Sequence, residues 1–135
     1  MIADTSAWVE LFRGTGSPAH LRLRRALQRQ EPLRMLDAVY QELLQGARSP
    51  RHFIQLQQQL DVVPVWSPDD ARELARQAAM LYARCRWQGL TIRSPHDCLI
   101  AASAIEAGEP LLHADRDFEH LAGIDPRLQF VLKAQ

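Results

Sequence analysis

Lysine is nearly absent from this chain: of its 16 basic residues only Lys133 is not arginine. That excludes chemistry built on an internal lysine, such as the phosphate-binding lysine of a P-loop or a Schiff base. Gly14-Thr15-Gly16 is accordingly read as a loop, since no Gly-Lys-Ser/Thr follows it. Cysteine is scarce too. Cys85 and Cys98 form no CxxC pair and no metal spacing, which points to buried thiols in a reducing compartment. There is no excess of either charge, with 16 acidic against 16 basic residues, so bulk electrostatics cannot hold a nucleic acid and any such partner must meet local patches. Long apolar runs are missing: the longest, Cys98 to Ile105, is interrupted by Ser103 and is far too short for a bilayer. Met1-Ile2-Ala3-Asp4 has neither the basic nor the apolar region of a signal peptide, and the reading expects a cytoplasmic protein with no membrane partner. What remains, at 135 residues with 47% hydrophobic and 24% charged, fits one globular domain over 1–135 with a sizeable core.

Short β-type runs alternate with helical patterns. Strands are predicted at Met1–Ala3, Leu33–Leu36, Val62–Trp66, Leu111–His113 and Leu128–Leu132, the third at an edge because of Pro64. Helices are predicted over Thr5–Arg13, Ala19–Gln30, Asp37–Gln45 with Asp37 as its cap, and Pro50–Leu60. Ser67-Pro68-Asp69-Asp70 opens the most clearly periodic one, which Gly89 ends. Ser94-Pro95-His96-Asp97 opens another, apolar or small on every side from Leu99 to Ile105 and therefore buried. A short helix is expected over Arg116–Ala122. This alternation predicts an α/β fold, a parallel sheet covered on both faces.

Ligands in such sheets gather beyond the carboxyl ends of the strands. Asp4 follows the first strand, Asp115 and Asp117 follow the fourth, Glu42 lies in the helix after the second, and Asp97 sits in the first turn of the buried helix. Each also has a plain structural reading: Asp4 and Asp115 as helix caps, Asp97 completing a capping box with Ser94, Glu42 as a solvated helix residue. Asp37, Asp69, Asp70 and Asp125 are assigned to caps and turns alone. Convergence favours function for the first set. Carboxylates brought together without lysine repel and raise one another's pKa, and a divalent cation resolves that repulsion. All-oxygen ligands favour Mg²⁺ or Mn²⁺ over zinc, and such a site activates water for in-line displacement at a phosphodiester.

Four blocks resemble PIN-domain ribonucleases of the VapC toxin group, in that family's order: Ile2-Ala3-Asp4-Thr5-Ser6-Ala7-Trp8-Val9, Glu42-Leu43-Leu44-Gln45-Gly46, Asp97-Cys98-Leu99-Ile100-Ala101-Ala102-Ser103-Ala104, and Leu111-Leu112-His113-Ala114-Asp115-Arg116-Asp117-Phe118. The resemblance implies a three-layer α/β/α sandwich around a five-stranded parallel sheet. It implies a Mg²⁺- or Mn²⁺-dependent endoribonuclease, the toxin of a toxin–antitoxin pair, leaving a 5′-phosphate and a 3′-hydroxyl. Asp4 and Asp97 match the usual metal ligands, Glu42 and Asp115 complete the catalytic acids, and Asp115 and Asp117 are further metal ligands. The hydroxyl of Ser6, or of Thr5, lies beside the pocket and is expected to orient substrate. The family also implies a homodimer, an RNA substrate and a cognate antitoxin whose tail occupies the acidic groove. Two positions depart from the pattern: His113 stands where threonine is frequent, and Ala3 where a larger aliphatic residue is common.

Of the remaining features, His113 and His96 read first as packing and first-turn residues. Arg22, Arg24, Arg25 and Arg29 read as a solvated or dimer-facing helix side, while Arg84, Arg86 and above all Arg93 are the better candidates for substrate phosphate. Trp8, Trp66 and Trp87 read as packing or interface residues. Competing readings are a PIN-like nuclease in RNA processing or acting on DNA, a phospho-acceptor receiver with Lys133 after its last strand, and an inactive interaction module. A receiver needs paired acids at the end of strand one, whereas Ala3 precedes Asp4, and it leaves Glu42 and Asp97 without a purpose.

Overall fold

The computed structural model describes residues 1–132, so Lys133 lies outside the described residues. In chain order the elements are β1 (Ile2–Ala3), α1 (Thr5–Arg13), α2 (Pro18–Gln28), α3 (Asp37–Gln45), α4 (Pro50–Leu60), α5 (Ala71–Trp87), α6 (Pro95–Ala107), β2 (Leu111–Leu112) and α7 (Asp117–Ile124). β1 and β2 pair in parallel, Ile2 opposite Leu111 and Ala3 opposite Leu112, and all four residues are fully buried. Parallel pairing of segments a hundred residues apart sets both carboxyl ends, and hence Asp4 and the 113–117 loop, side by side.

The other three predicted strands are single parallel bridges rather than strands: Ile2 with Arg34, Met35 with Val65, and Leu111 with Phe130. Pro64 limits the second of them. It accepts from the Met35 N–H at 2.7 Å but has no N–H of its own to extend the ladder, and Val62 and Val65 beside it are exposed. The segment around Phe130 is held by two bonds, Leu111 N–H to the Gln129 carbonyl and Val131 N–H to the Leu111 carbonyl.

Helix starts follow the side chains that can cap. Asp4, Ser17, Ser49 and Asp70 each accept a main-chain N–H at the head of α1, α2, α4 and α5. Two expected caps are corrected. Asp37 lies inside the first turn of α3, whose cap position is Leu36 with no side-chain bond. Ser94 caps α6 without its hydroxyl: the Asp97 N–H donates to the Ser94 carbonyl, leaving the Asp97 carboxylate out of any capping box. Asp69 is exposed in the bend before α5, and Asp125 closes α7 and pairs with Arg127. Gly108 ends α6 in the left-handed conformation (φ 64°), which glycine adopts without strain.

α6 is the central helix. Cys98, Ile100, Ala101, Ala102, Ser103 and Ala104 are buried, and their small size lets α5 lie close against it. The Ser103 hydroxyl, otherwise costly in this setting, donates to the Leu99 carbonyl at 2.7 Å. Burial pushes the Cys98 thiol up to about 12, so both cysteines act as small apolar core residues. Trp8 is in the core and Trp87 is 68% exposed. No helix among the described residues is long and apolar enough to cross a membrane.

Candidate active site

The main chain alone brings the acids together. β1 ends at Ala3, the Asp4 N–H donates to the Leu112 carbonyl, and the chain turns at once into α1 with Asp4 as its cap. Both readings of Asp4 hold: its Oδ1 accepts the Ala7 N–H at 3.1 Å, and the same carboxylate faces a cleft of about 510 Å³. Glu42 (from α3), Asp97 (from α6), and Asp115 and Asp117 (after β2) line that cleft too, as do Ser6 and Arg93. All seven sequence-predicted site residues therefore meet in one place.

The carboxylates differ in their partners. Ser6 Oγ lies 2.7 and 2.9 Å from the two Asp4 oxygens and accepts the Ala114 N–H at 2.8 Å, so one hydroxyl ties the head of α1 to the loop after β2. Thr5 Oγ1 donates to Glu42 Oε1 at 3.0 Å across the cleft. Asp115 Oδ1 accepts the Asp117 N–H at 3.0 Å, which folds the loop so that one oxygen each of Asp97, Asp115 and Asp117 lies within 4.8 Å of the others. The hydroxyl hydrogen bonds thus hold Asp4 and Glu42, whereas the tightest acidic cluster is the other three.

Their ionisation reflects the crowding. Burial pushes Asp4 up to about 6, against the hydrogen bonds from Ser6 and Ala7. Asp97 is pushed up to about 7, first by burial and then by the negative charges of Asp115, Asp4, Asp117 and Glu42. Among the described residues the arginine paired with the cleft acids is Arg93, whose Nε is 3.4 Å from Asp117 Oδ2 and whose Nη2 is 3.6 Å from Asp115 Oδ1. Its side chain is 75% exposed, which makes this a loose, solvent-screened pair and leaves the guanidinium free to move onto a ligand. Uncompensated carboxylates with hard oxygen donors, and no thiol or imidazole among the three clustered groups, fit a Mg²⁺- or Mn²⁺-type cation.

His113 is the packing residue the sequence suggested, with a second task. Its ring stands edge-on to Phe130 at 4.5 Å and against Phe118 at 5.3 Å. Nδ1 accepts the Asp115 N–H at 3.2 Å, which puts the ring proton on Nε2, 3.2 Å from Glu119 Oε1. His113 thereby fixes the main chain of the acidic loop. Arg84 and Arg86 do not line the cleft: Arg84 donates to the Ile124 carbonyl at 2.9 Å, tying α5 to the end of α7. Two lining residues went unmarked in the sequence, Glu10 and Arg13. They follow Ser6 at +4 and +7 on α1, so helical spacing from Ser6 was the signal that would have found them.

The PIN domain family model matches residues 1–124. The chain is 40% identical over 125 residues to VapC ribonuclease Mb1587 of Mycobacterium bovis and to Ribonuclease VapC11 of Mycobacterium tuberculosis, covering 92% of this chain and 92% of each relative. Among solved structures it is similar in fold to VapBC-1 from nontypeable Haemophilus influenzae (TM-score 0.73, 19% identity, 96% of this chain and 94% of that one). It is also similar to VapBC2 from Rickettsia felis bound to a DNA fragment from their promoter (TM-score 0.68, 19% identity, 96% of this chain and 95% of that one).

Proposed function

This chain belongs to the PIN domain family, and from that premise we propose that it is an endoribonuclease that hydrolyses RNA phosphodiester bonds with a Mg²⁺ or Mn²⁺ ion, acting as the toxin of a toxin–antitoxin pair. The observation that carries the reading is the cleft itself: the five predicted carboxylates, from four distant points of the sequence, are joined there by Glu10 and face only Arg13 and a loosely held Arg93 among the lining residues, and Asp97 is pushed up to about 7. Such an arrangement is unfavourable in an empty protein and favourable around a cation.

In this reading Asp97, Asp115 and Asp117 hold the ion, with Asp4 as the fourth acid. A divalent ion held there would supply Lewis acidity toward water and the scissile phosphate. The rest falls to side chains. Ser6 holds the Asp4 carboxylate in place, and Thr5 engages Glu42 Oε1, leaving the second Glu42 oxygen to accept a proton from the attacking water. Arg93 shifts from Asp115 and Asp117 to a phosphate oxygen of the substrate, where its planar donors match the ligand better than a screened ion pair does. The products are a 5′-phosphate and a 3′-hydroxyl.

Finer architecture and assembly follow from the same membership. We read β1, β2 and the three bridged segments around Arg34, Val65 and Phe130 as one five-stranded parallel sheet in a three-layer sandwich over a single domain. We expect a cytoplasmic homodimer, silenced by an antitoxin that presents a cation to the acidic cleft. The test is cleavage of a 3′-fluorescein-labelled RNA pool by metal-stripped protein with Mg²⁺ or Mn²⁺ restored, beside Asp97→Asn. Cleavage that needs metal and disappears in the variant is expected; cleavage indifferent to chelator or to the substitution would overturn the reading.

A further inference from the structure

The acidic cleft repels the very polymer it is proposed to cut, and the chain has no net positive charge to offset that repulsion. Attraction must come from a particular surface, and α2 supplies one. Arg22, Arg25 and Arg29 recur at i, i+3 and i+7 on its outward side, with Arg24 at the flank, while Ala19, His20, Leu23 and Ala26 face the core. Like charges at these spacings weaken a helix. Only Arg22 is answered, by a bidentate pair to Glu31 at 2.8 and 2.9 Å. Arg24, Arg25 and Arg29 are exposed and make no ion pair among the described residues. The concentrated field is visible on Glu31, held below its usual range first by the hydrogen bond from Arg22 and further by Arg25 and Arg29.

These four arginines line a groove of about 620 Å³ beside Val131 and Leu132. No aromatic side chain is among the lining residues, so bases find nothing to stack on and the surface reads charge alone. It is also within reach of the chemistry. Arg13, at the end of α1, lines the acidic cleft, while Pro18 at the start of α2 lines the arginine groove, and five residues of chain span at most about 17 Å.

We propose that the outward face of α2 binds the phosphate backbone of the RNA strand outside the scissile bond, without regard to sequence. The proposal rests on the ribonuclease reading above. It is tested by the KCl dependence of binding of a 3′-fluorescein-labelled 20-nucleotide single-stranded RNA to full-length protein in EDTA, with Mn²⁺-dependent cleavage of the same RNA measured in parallel. The variant carries Arg24→Gln, Arg25→Gln and Arg29→Gln, which keeps the Arg22–Glu31 pair and a good helix former at each site. A control carries Arg51→Gln, Arg72→Gln and Arg86→Gln, the same change of charge elsewhere on the surface.

The α2 variant is expected to bind about tenfold more weakly, with the slope of log affinity against log salt reduced by about 2, roughly 0.7 for each of three lost phosphate contacts. The control is expected to keep the wild-type slope. An unchanged slope in the α2 variant overturns the proposal, as does an equal reduction in the control, which would mean bulk charge and no site. A wild-type affinity for RNA retained by the α2 variant together with a changed oligomeric mass overturns it too, in favour of a protein interface. Wild-type protein that cleaves no RNA with metal present fails the ribonuclease reading itself, a result separate from any of these slopes.

Discussion

The two ends of the β1–β2 pair treat carboxylates in opposite ways. At the amino end, Glu109 is half-buried but lies between Arg34 and the Met1 amine, 3.2 Å from the latter, and their hydrogen bonds and charges outweigh desolvation to hold it below its usual range. At the carboxyl end, Asp4 and Asp97 are also shielded from water but have no such answer, and they are pushed up to about 6 and about 7. Elsewhere the matched pattern repeats: the hydrogen bond from Arg127 lowers Asp125, and that from Arg76 lowers Glu73 to about 2. Acids at these structural positions are each answered by a cation, whereas those gathered in the cleft are unpaired or loosely paired, which marks the cleft for a cation from outside.

The strongest way to break this contrast is to remove a cleft carboxylate. Asp97→Asn is expected to lower metal-dependent RNA cleavage by more than about 100-fold, beyond the 10–100-fold typical of changing a group around a metal ligand, measured as kcat/KM at saturating Mn²⁺. Next come residues that only position the acids. Ser6→Ala frees Asp4 and leaves the Ala114 N–H without its partner; His113→Ala removes the acceptor for the Asp115 N–H. Each should weaken Mn²⁺ affinity by about 10-fold or more, read by titration calorimetry, while His113→Asn, which retains an acceptor, recovers part of the loss.

Stability should move the other way from activity. Asp97 and Asp4 bind protons more tightly folded than at their ordinary value of 3.8, so metal-free protein is most stable in acid on their account and loses that stability as pH rises through about 6 and 7. Asp97→Asn removes one of these penalties. Above pH 7 the metal-free variant is expected to be more stable than wild type by about 1–2 kcal/mol after allowance for solvent screening, and Tm against pH checks it. Glu109→Gln should do the reverse on a smaller scale. Glu109 has a lowered value, so its contribution is present at neutral pH and fades on acidification; its loss should reduce Tm at pH 7 by about 3 °C and leave cleavage unchanged.

Much of this was legible in the residues. α1 and α4 run as predicted because Asp4 and Ser49-Pro50 are explicit start signals, and α6 could be read as buried from its run of small apolar residues. The five acids were legible because α/β topology directs ligands to strand ends. Strand length was not. Whether Leu33–Leu36 or Val62–Trp66 pairs over four residues or bridges at one depends on how far helices on either face let the backbones run together, and no local pattern encodes that. The capping box that the Ser94 and Asp97 spacing offers as a plain alternative does not form; the Ser94 main-chain carbonyl takes the bond instead and leaves the Asp97 carboxylate to the cleft. The loop role of His113 depends on Phe118, Glu119 and Phe130 meeting around one ring, a tertiary fact outside any short motif.

The central claim is that the cleft is left acidic in order to bind a metal. Calorimetric titration of Mn²⁺ into metal-stripped protein at pH 6 and pH 8, in two buffers of different ionisation enthalpy, addresses it most directly. Binding tighter at pH 8, with proton release at pH 6 that Asp97→Asn reduces together with most of the affinity, is the predicted result. Binding that is absent, or that is indifferent to both pH and Asp97→Asn, would contradict it.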